Sequence, residues 1–151
     1  MTVGYWKNEE ATAEAIVDGW MHSGDIGELN ERGFLKMVDR KKDMIISGGL
    51  NIAPAEIENA IMALDGVEEV AVIAAADEKF GETPAAVIRS GGELSAEQVV
   101  AHCDGRIADF KVPRYVIFTE EPLPRMASGK VAKRVLRDAH SDIPANHERV
   151  R

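Results

Sequence analysis

A lysine that follows a glycine is the residue pair in this sequence with the clearest potential for chemistry. Residues 124–130 read PRMASGK, which places Lys130 directly after Gly129 and ahead of a predicted helix. A phosphate-binding P-loop needs glycine where Pro124 stands and Ser or Thr where Val131 stands, so this segment is not one. Two interpretations stay open: a cation on a glycine-hinged loop that reaches an anion, or a solvated lysine near a helix start.

A pair of glycines interrupts an apolar run in residues 44–51. Gly48 and Gly49 follow Ser47, and because glycine has no Cβ, a ligand can approach this backbone closely. The alternative is an ordinary turn between a strand and a helix. Composition and spacing do not decide between the two.

Two other polar segments also have both a chemical and a structural interpretation. Asp25 follows Gly24 and either accepts two hydrogen bonds from a vicinal diol or holds a turn. The mixed-charge run 39–43 contains Arg40 and Lys42. Its structural interpretation is a solvated linker. The four histidines are scattered without metal-ligand spacing, so we predict neither a metal site nor a nucleophile–histidine pair.

The composition is that of a globular chain with room for about one domain. The 151 residues are 45% hydrophobic and 29% charged, with a formal net charge of −8, which disfavours nucleic acid and anionic membranes as partners. The longest apolar run, residues 70–76, is far shorter than the roughly 20 residues that span a bilayer. With a single cysteine and no signal-like segment, we expect a cytoplasmic protein without a transmembrane segment.

The elements that must position these residues lie mostly after residue 43. Residues 1–38 have too little apolar mass for a core, and residues 25–34 predict a turn between two short strands. We place a boundary at residues 39–43. Residues 44–140 alternate predicted strands and helices, and the polar tail 141–151 is expected to be frayed.

Three helices are predicted in residues 44–140. Pro54 suits the first turn of one helix, Ser95 and Gln98 form a capping box that opens the second, and the last is expected over residues 131–139. The helix positions expected to face the core are Ile57, Ile61, Cys103, Val135 and Leu136.

Segments rich in Val and Ile predict the strands of a short sheet. Residues 67–75 and 84–88 are expected to be strands joined by an exposed loop, and residues 115–118 a further strand. Strands that alternate with helices in a chain of this size predict an α+β fold, a small sheet packed with helices and preceded by a short β-hairpin segment.

Taken in order, these segments resemble the carboxyl-terminal part of the acyl-CoA synthetases, the AMP-forming adenylating enzymes. Residues 4–25, with the motifs GYW, DGW and SGD, are similar to the end of that family's large amino-terminal domain. Residues 39–58 resemble the hinge and first strands of its mobile lid, and residues 124–130 its lysine loop. The resemblance covers nearly the whole chain. These three segments, taken together in the family's order, are far more specific than any one of them.

The resemblance implies a domain organisation. Residues 1–38 would close an amino-terminal adenylate-binding domain that is otherwise missing here, residues 39–43 would be the hinge, residues 44–140 the AMP-binding lid, and residues 141–151 a tail. The amino-terminal domain is the expected partner, and the fragment alone is expected to be inactive. The alternative is a free-standing, non-catalytic lid-like module that acts in trans.

The resemblance also implies a reaction and its substrates. Such a ligase converts a carboxylic acid, ATP and CoA to acyl-CoA, AMP and pyrophosphate through an acyl-adenylate, with Mg²⁺ held by the amino-terminal domain. The pattern of residues 44–51 is more similar to ligases for fatty and aryl acids than to acetate-activating enzymes.

Roles for individual residues follow from the resemblance as well. Lys130 would be the catalytic residue that counters negative charge as the carboxylate meets the α-phosphate. Asp25 and Arg40 would hold the nucleotide ribose, and Lys42 would be the hinge pivot. The segment expected to contact the pantetheine arm of CoA consists of Ser47, Gly48 and Gly49.

Overall fold

The computed structural model describes residues 2–151 and divides the chain into two compact units, Met1–Lys42 and Asp43–Arg151. The division falls within the segment 39–43, where Lys41–Asp43 form a 3-10 turn. The proposed hinge and the domain assignments stay predictions. Among residues 2–151, no helix is long and apolar enough to cross a membrane.

The first unit combines one short helix with two antiparallel ribbons. Its elements are α1 (Glu9–Ala15), β1 (Ile16–Val17), β2 (Trp20–Met21), β3 (Asp25–Leu29) and β4 (Leu35–Arg40). None of residues 2–42 is buried, which agrees with the predicted lack of a core. Helix α1 was not predicted because its sequence has no apolar stripe. Asn8 caps its start, because the Asn8 side chain accepts a hydrogen bond from the Ala11 N–H at 3.0 Å.

The hairpin of β3 and β4 differs from the prediction in where its turn lies. Residues 25–34 were expected to be a turn, but Asp25–Leu29 form strand β3 and the turn begins at Asn30. The Asn30 Oδ1 atom accepts hydrogen bonds from the Arg32 and Phe34 N–H groups at 3.0 and 2.9 Å. An asparagine that bonds to the backbone ahead of it thus sets the turn.

The second unit contains a five-stranded sheet and four helices. Its elements are β5 (Ile45–Ser47), β6 (Leu50–Ile52), α2 (Pro54–Met62), β7 (Val67–Asp77), β8 (Gly81–Ser90), α3 (Ala96–Cys103), β9 (Tyr115–Thr119), α4 (Lys133–Ala139) and α5 (Ile143–Asn146). The antiparallel path runs β6-β5-β8-β7, and β9 pairs parallel with β8. The long hairpin of β7 and β8, in register from Val70 opposite Ile88 to Asp77 opposite Gly81, is the centre of this unit.

Helices cover both faces of the sheet. On one face Val72 and Ile88 belong to a core with α2 and α3, and on the other Ile73 and Val87 belong to a core with α4 and α5. Burial on both faces explains why residues 70–76 are apolar without alternation. The predicted fold class, a small sheet packed with helices after a β-hairpin segment, is confirmed.

Local signals placed the first two helices of this unit correctly. Pro54 lies in the first turn of α2, and Ser95 and Gln98 form the predicted capping box of α3. Cys103 is fully buried, as expected. The three strands predicted from Val- and Ile-rich segments are present as β7, β8 and β9.

The carboxyl-terminal region corrects two expectations. Helix α4 begins at Lys133 rather than at 131, and Leu136 is buried as predicted but Val135 is 45% exposed, contrary to the prediction. The tail is not frayed, because residues 143–146 form helix α5 and Ile143 is 1% exposed in the core. A single apolar residue in a polar segment was too weak a pattern to predict this contact.

Candidate functional site

Lys130 lies on a loop that its own hydrogen bonds close, here called the lysine loop (residues 125–131). Arg125 and Val131 form an isolated antiparallel bridge, and the Met126 N–H donates to the Lys130 carbonyl at 2.8 Å. The Gly129 N–H donates to the Met126 carbonyl at 2.8 Å, and Gly129 has φ +82°, which favours glycine. The loop therefore has a defined backbone although its residues 125–130 are exposed.

The ammonium group of Lys130 has no ion pair or hydrogen bond with any of residues 2–151. Two other lysines of the second unit are neutralised: Lys133 pairs with Glu58 and Lys111 with Glu56, each with a nitrogen–oxygen distance of 2.7 Å. Lys130 is thus an exposed cation that can meet an anion without losing an internal partner.

Glu69 and Arg125 brace the lysine loop against the sheet, and the sequence alone did not identify them. Arg125 lies 3.3 Å from Glu69 and donates to the Gly129 carbonyl at 2.8 Å. The Leu123 N–H donates to Glu69 at 3.0 Å. That backbone hydrogen bond, with smaller contributions from Arg125 and Arg89, outweighs burial and lowers the pKa of the Glu69 carboxyl below its ordinary value. No local pattern connects Glu69 to a segment 54 residues later.

Gly48 and Gly49 form the two-residue turn of the β5–β6 hairpin, in which Ser47 pairs with Leu50. Their φ angles of +57° and +82° are those of a type I′ turn. The simpler prediction for these residues, a turn between a strand and a helix, was therefore wrong, because a second strand follows. Ser47 is buried and also pairs with Gly81 of β8.

The two glycines have different surroundings. A Cβ on Gly48 would lie 3.0 Å from the Phe80 ring, and the Gly48 N–H donates to the Phe80 carbonyl at 2.8 Å. A Cβ on Gly49 would meet nothing within 4 Å. Gly48 thus packs on the protein, whereas Gly49 faces open space.

A buried carboxylate supports the segment on which Gly48 packs. Asp77, with a side chain that is 3% exposed, accepts hydrogen bonds from the Lys79 and Phe80 N–H groups at 2.9 Å and lies within 3.5 Å of Arg114 and Arg149. Burial raises the pKa of the Asp77 carboxyl, but the hydrogen bonds from Phe80 and Lys79 and the two guanidinium groups together lower it below the ordinary value.

Asp25 and Arg40 face each other at the open end of the β3–β4 hairpin. They are paired in register, and the Arg40 Nε atom lies 3.3 Å from an Asp25 carboxylate oxygen. Both side chains are partly exposed and line a cavity of about 1020 Å³ together with Trp20 and Lys42. The structure therefore brings together the two residues assigned to the ribose, within the first unit.

The remaining predicted site residues are divided between the two units. Lys42 is the last residue of the first unit, while the glycine turn and Lys130 belong to the second. Among residues 2–151, no group of three or more His, Cys, Asp or Glu side chains is arranged to hold a metal ion.

Comparisons with known proteins all point to the carboxyl-terminal part of CoA ligases. Residues 56–130 match the model of the AMP-binding enzyme C-terminal domain. The chain is 50% identical over 138 residues to the long-chain-fatty-acid–CoA ligase FadD13 of Mycobacterium tuberculosis and 46% identical over 137 residues to the 2-succinylbenzoate–CoA ligase of Bacillus mycoides. These alignments include 91% of this chain in each case but only 27% and 28% of the relatives, of which they cover the carboxyl-terminal part.

Solved structures show the same relationship. ATP-bound MatB from Rhodopseudomonas palustris superposes with a TM-score of 0.84 at 42% identity, over 93% of this chain and 28% of that one. The 2-succinylbenzoate CoA synthetase MenE from Bacillus subtilis, in complex with an acyl-adenylate intermediate, superposes with a TM-score of 0.83 at 37% identity, over 91% and 28%. The chain spans little more than a quarter of the length of these proteins.

Proposed function

Because residues 56–130 of this chain belong to the family of AMP-binding enzyme C-terminal domains, we propose that the chain is the carboxyl-terminal part of an AMP-forming acyl-CoA ligase. The whole enzyme would join a carboxylic acid to CoA in two steps. First, a carboxylate oxygen attacks the α-phosphorus of ATP, the bond to the bridging oxygen breaks, and pyrophosphate leaves. Then the CoA sulfur attacks the acyl carbon, AMP leaves with the bonding electrons, and the thiol proton is released.

Lys130 is proposed to act in the first step. The carboxylate and the α-phosphate are both anions, so their approach concentrates negative charge that a fixed cation stabilises. An exposed ammonium that has no partner among residues 2–151, on a loop with a defined backbone, meets this need without breaking an ion pair there. These contacts support Lys130 as the catalytic residue.

Asp25 and Arg40 are proposed to hold the ribose. An ionised carboxylate accepts two hydroxyl donors of a vicinal diol, and the neighbouring guanidinium is a second donor group for the same sugar. Their ion pair is partly exposed and so contributes little to stability, which lets it adjust to a ligand at low cost.

The glycine turn is proposed to serve the second step. The open space beside Gly49 suits the thin pantetheine arm of CoA, and a side chain there would obstruct it. Ser47 and Gly48 form the same turn. Lys42, the last residue of the first unit, is proposed as the pivot that lets the second unit change orientation between the steps.

The substrate and its setting belong to the same proposal. We propose a fatty or aryl acid, in line with the names of the two ligases above. By the resemblance, the Mg²⁺ of ATP is proposed to be held by the amino-terminal domain. A cytoplasmic location is also proposed, since the one cysteine is buried and unpaired.

The observation that carries the proposal is that Lys130, on its closed loop, has no ion pair within residues 2–151, in a chain 50% identical over 138 residues to a CoA ligase. The test begins with the size of the native polypeptide, measured by mass spectrometry, and continues with pyrophosphate release from ATP in the presence of fatty and aryl acids. Lys130→Ala and Lys130→Gln should lower this release roughly 100-fold.

Arg134→Ala is the matched control, because Arg134 is a nearby cation with an 82% exposed side chain. It should leave pyrophosphate release unchanged. Unchanged release by Lys130→Gln would contradict the proposal, and a native polypeptide no longer than this chain would favour a lid-like module that acts in trans.

A further inference from the structure

We propose that Arg125 and Glu69 are positioning residues that hold the lysine loop in its working orientation, an inference that rests on the catalytic role proposed for Lys130. The backbone hydrogen bonds that close the loop all lie within residues 124–132. They fix the shape of the loop but not its direction relative to the sheet. A catalytic cation needs both.

Arg125 connects the sheet to the tip of the loop. One guanidinium nitrogen donates to the Gly129 carbonyl at 2.8 Å, and the other lies 3.3 Å from a carboxylate oxygen of Glu69. Gly129 immediately precedes Lys130, so this contact fixes the peptide from which the Lys130 side chain starts. Because a guanidinium presents its donors in a rigid planar fork, binding at both ends defines an orientation.

The Glu69 side chain is held in place by its strand and by a backbone hydrogen bond. Glu69 lies in β7, its side chain is 16% exposed, and its second oxygen accepts the Leu123 N–H at 3.0 Å. Leu123 is buried in the core just before the loop. Arg89 lies 3.6 Å from Glu69 but has a closer partner in Glu68 at 3.2 Å. One oxygen of the Glu69 carboxylate is therefore held by the Leu123 N–H, and the other oxygen pairs with Arg125.

Packing fixes the two ends of the loop, at Leu123 just before it and at Val131, but not its tip. Residues 125–130 are exposed, and the only loop residue packed on a core is Val131 at its end. Among residues 2–151, the contact between Arg125 and Glu69 is the side-chain link from the tip of this loop to the sheet. Removing it should leave Lys130 present and charged but poorly placed.

Amide dynamics of the 151-residue chain test the structural part of the inference. In ¹⁵N relaxation measurements, the order parameters of Gly129 and Lys130 should fall from about 0.85 to below about 0.6 in Arg125→Ala. Arg134→Ala, which removes an exposed arginine from the adjoining helix, should leave them unchanged. Both arginines are exposed enough that neither substitution threatens folding.

The half-reactions of the ligase that contains this chain test the functional part. Arg125→Ala should lower kcat for adenylation roughly 10- to 100-fold, with KM for ATP changed less than about twofold, since only placement in the transition state is lost. Thioester formation from supplied acyl-adenylate should keep its rate. Arg125→Lys should not restore adenylation, because one ammonium cannot reach both Glu69 and the Gly129 carbonyl.

The outcomes separate this inference from the proposed function. If Lys130→Ala abolishes adenylation while Arg125→Ala matches Arg134→Ala in dynamics and kcat, the positioning role is wrong and the proposed function stands. Full rescue by Arg125→Lys would also overturn it, because charge alone would then suffice. If Lys130→Ala keeps full adenylation, the proposed function fails and this inference fails with it.

Discussion

Helix α5 packs on a core of the second unit through one buried side chain, Ile143, and Ile143→Ala measures that packing. Ile143 is 1% exposed and shares a core with Ile73 and Leu136. Truncating a buried isoleucine to alanine costs about 2 to 5 kcal/mol, and a four-residue helix near the terminus can shift inward to fill part of the space. We therefore expect a loss of about 2 kcal/mol in the free energy of unfolding.

Urea denaturation followed by far-UV circular dichroism is the assay. With a slope of about 2 kcal/mol per molar urea, the midpoint should fall by about 1 M. Val135→Ala is the control, because Val135 on the preceding helix is 45% exposed and should cost no more than about 0.5 kcal/mol. Equal midpoints for the two variants would refute the packing of α5.

Three further predictions concern the turn, the buried carboxylate and the cysteine. Gly49→Leu in the whole ligase should keep pyrophosphate release but slow thioester formation at least about tenfold, because its side chain enters the open space, as separate half-reaction assays would show. Asp77→Asn should lower the urea midpoint at pH 7. The difference should shrink as the pH falls below about 3.9, the ordinary Asp pKa, and vanish below the lowered pKa of the folded state, since the carboxylate stabilises the fold only while it is ionised there. Cys103 should react with a thiol reagent only in urea, because it is fully buried and burial raises the pKa of its thiol.

The central sheet was predictable because its signals are local and strong. Strands buried on both faces must be apolar throughout, so Val- and Ile-rich segments identified β7, β8 and β9. Helix α3 was equally clear, since Ser95 and Gln98 cap it within one turn. Both signals are formed by residues that are close together in the sequence, so they can be recognised without knowing the fold.

The expectations that failed depended on distant contacts or on small shifts. Helix α4 begins at Lys133 instead of residue 131, and of its two adjacent apolar residues only Leu136 is buried in the core. Ile143 is a core residue because it packs against residues of the sheet and of α4 that are distant in sequence, such as Ile73. The turn at Gly48 looked like the end of a strand because the short strand β6 after it has only three residues.

The candidate site shows the same division between local and distant information. The lysine loop and the glycine turn could be recognised from the sequence, because the positive φ angles that they require fall on glycines within each short motif. Their supports come from far along the chain: Glu69 contacts Leu123, and Asp77 contacts Arg149. Without the fold, neither acidic residue differs from other charged positions in the sequence.

Strand β7 supports both candidate sites of the second unit, and this limits how the unit can work. Glu69 near its start holds the lysine loop, while Asp77 at its end holds the Phe80 segment behind Gly48. Eight residue steps of extended strand place the Cα atoms of Glu69 and Asp77 about 26 Å apart. Under the proposed function, Lys130 and the glycine turn are therefore supported from opposite ends of β7. We propose that a pivot at Lys42 lets adenylation and thioester formation present these two ends of β7 to the bound adenylate in turn.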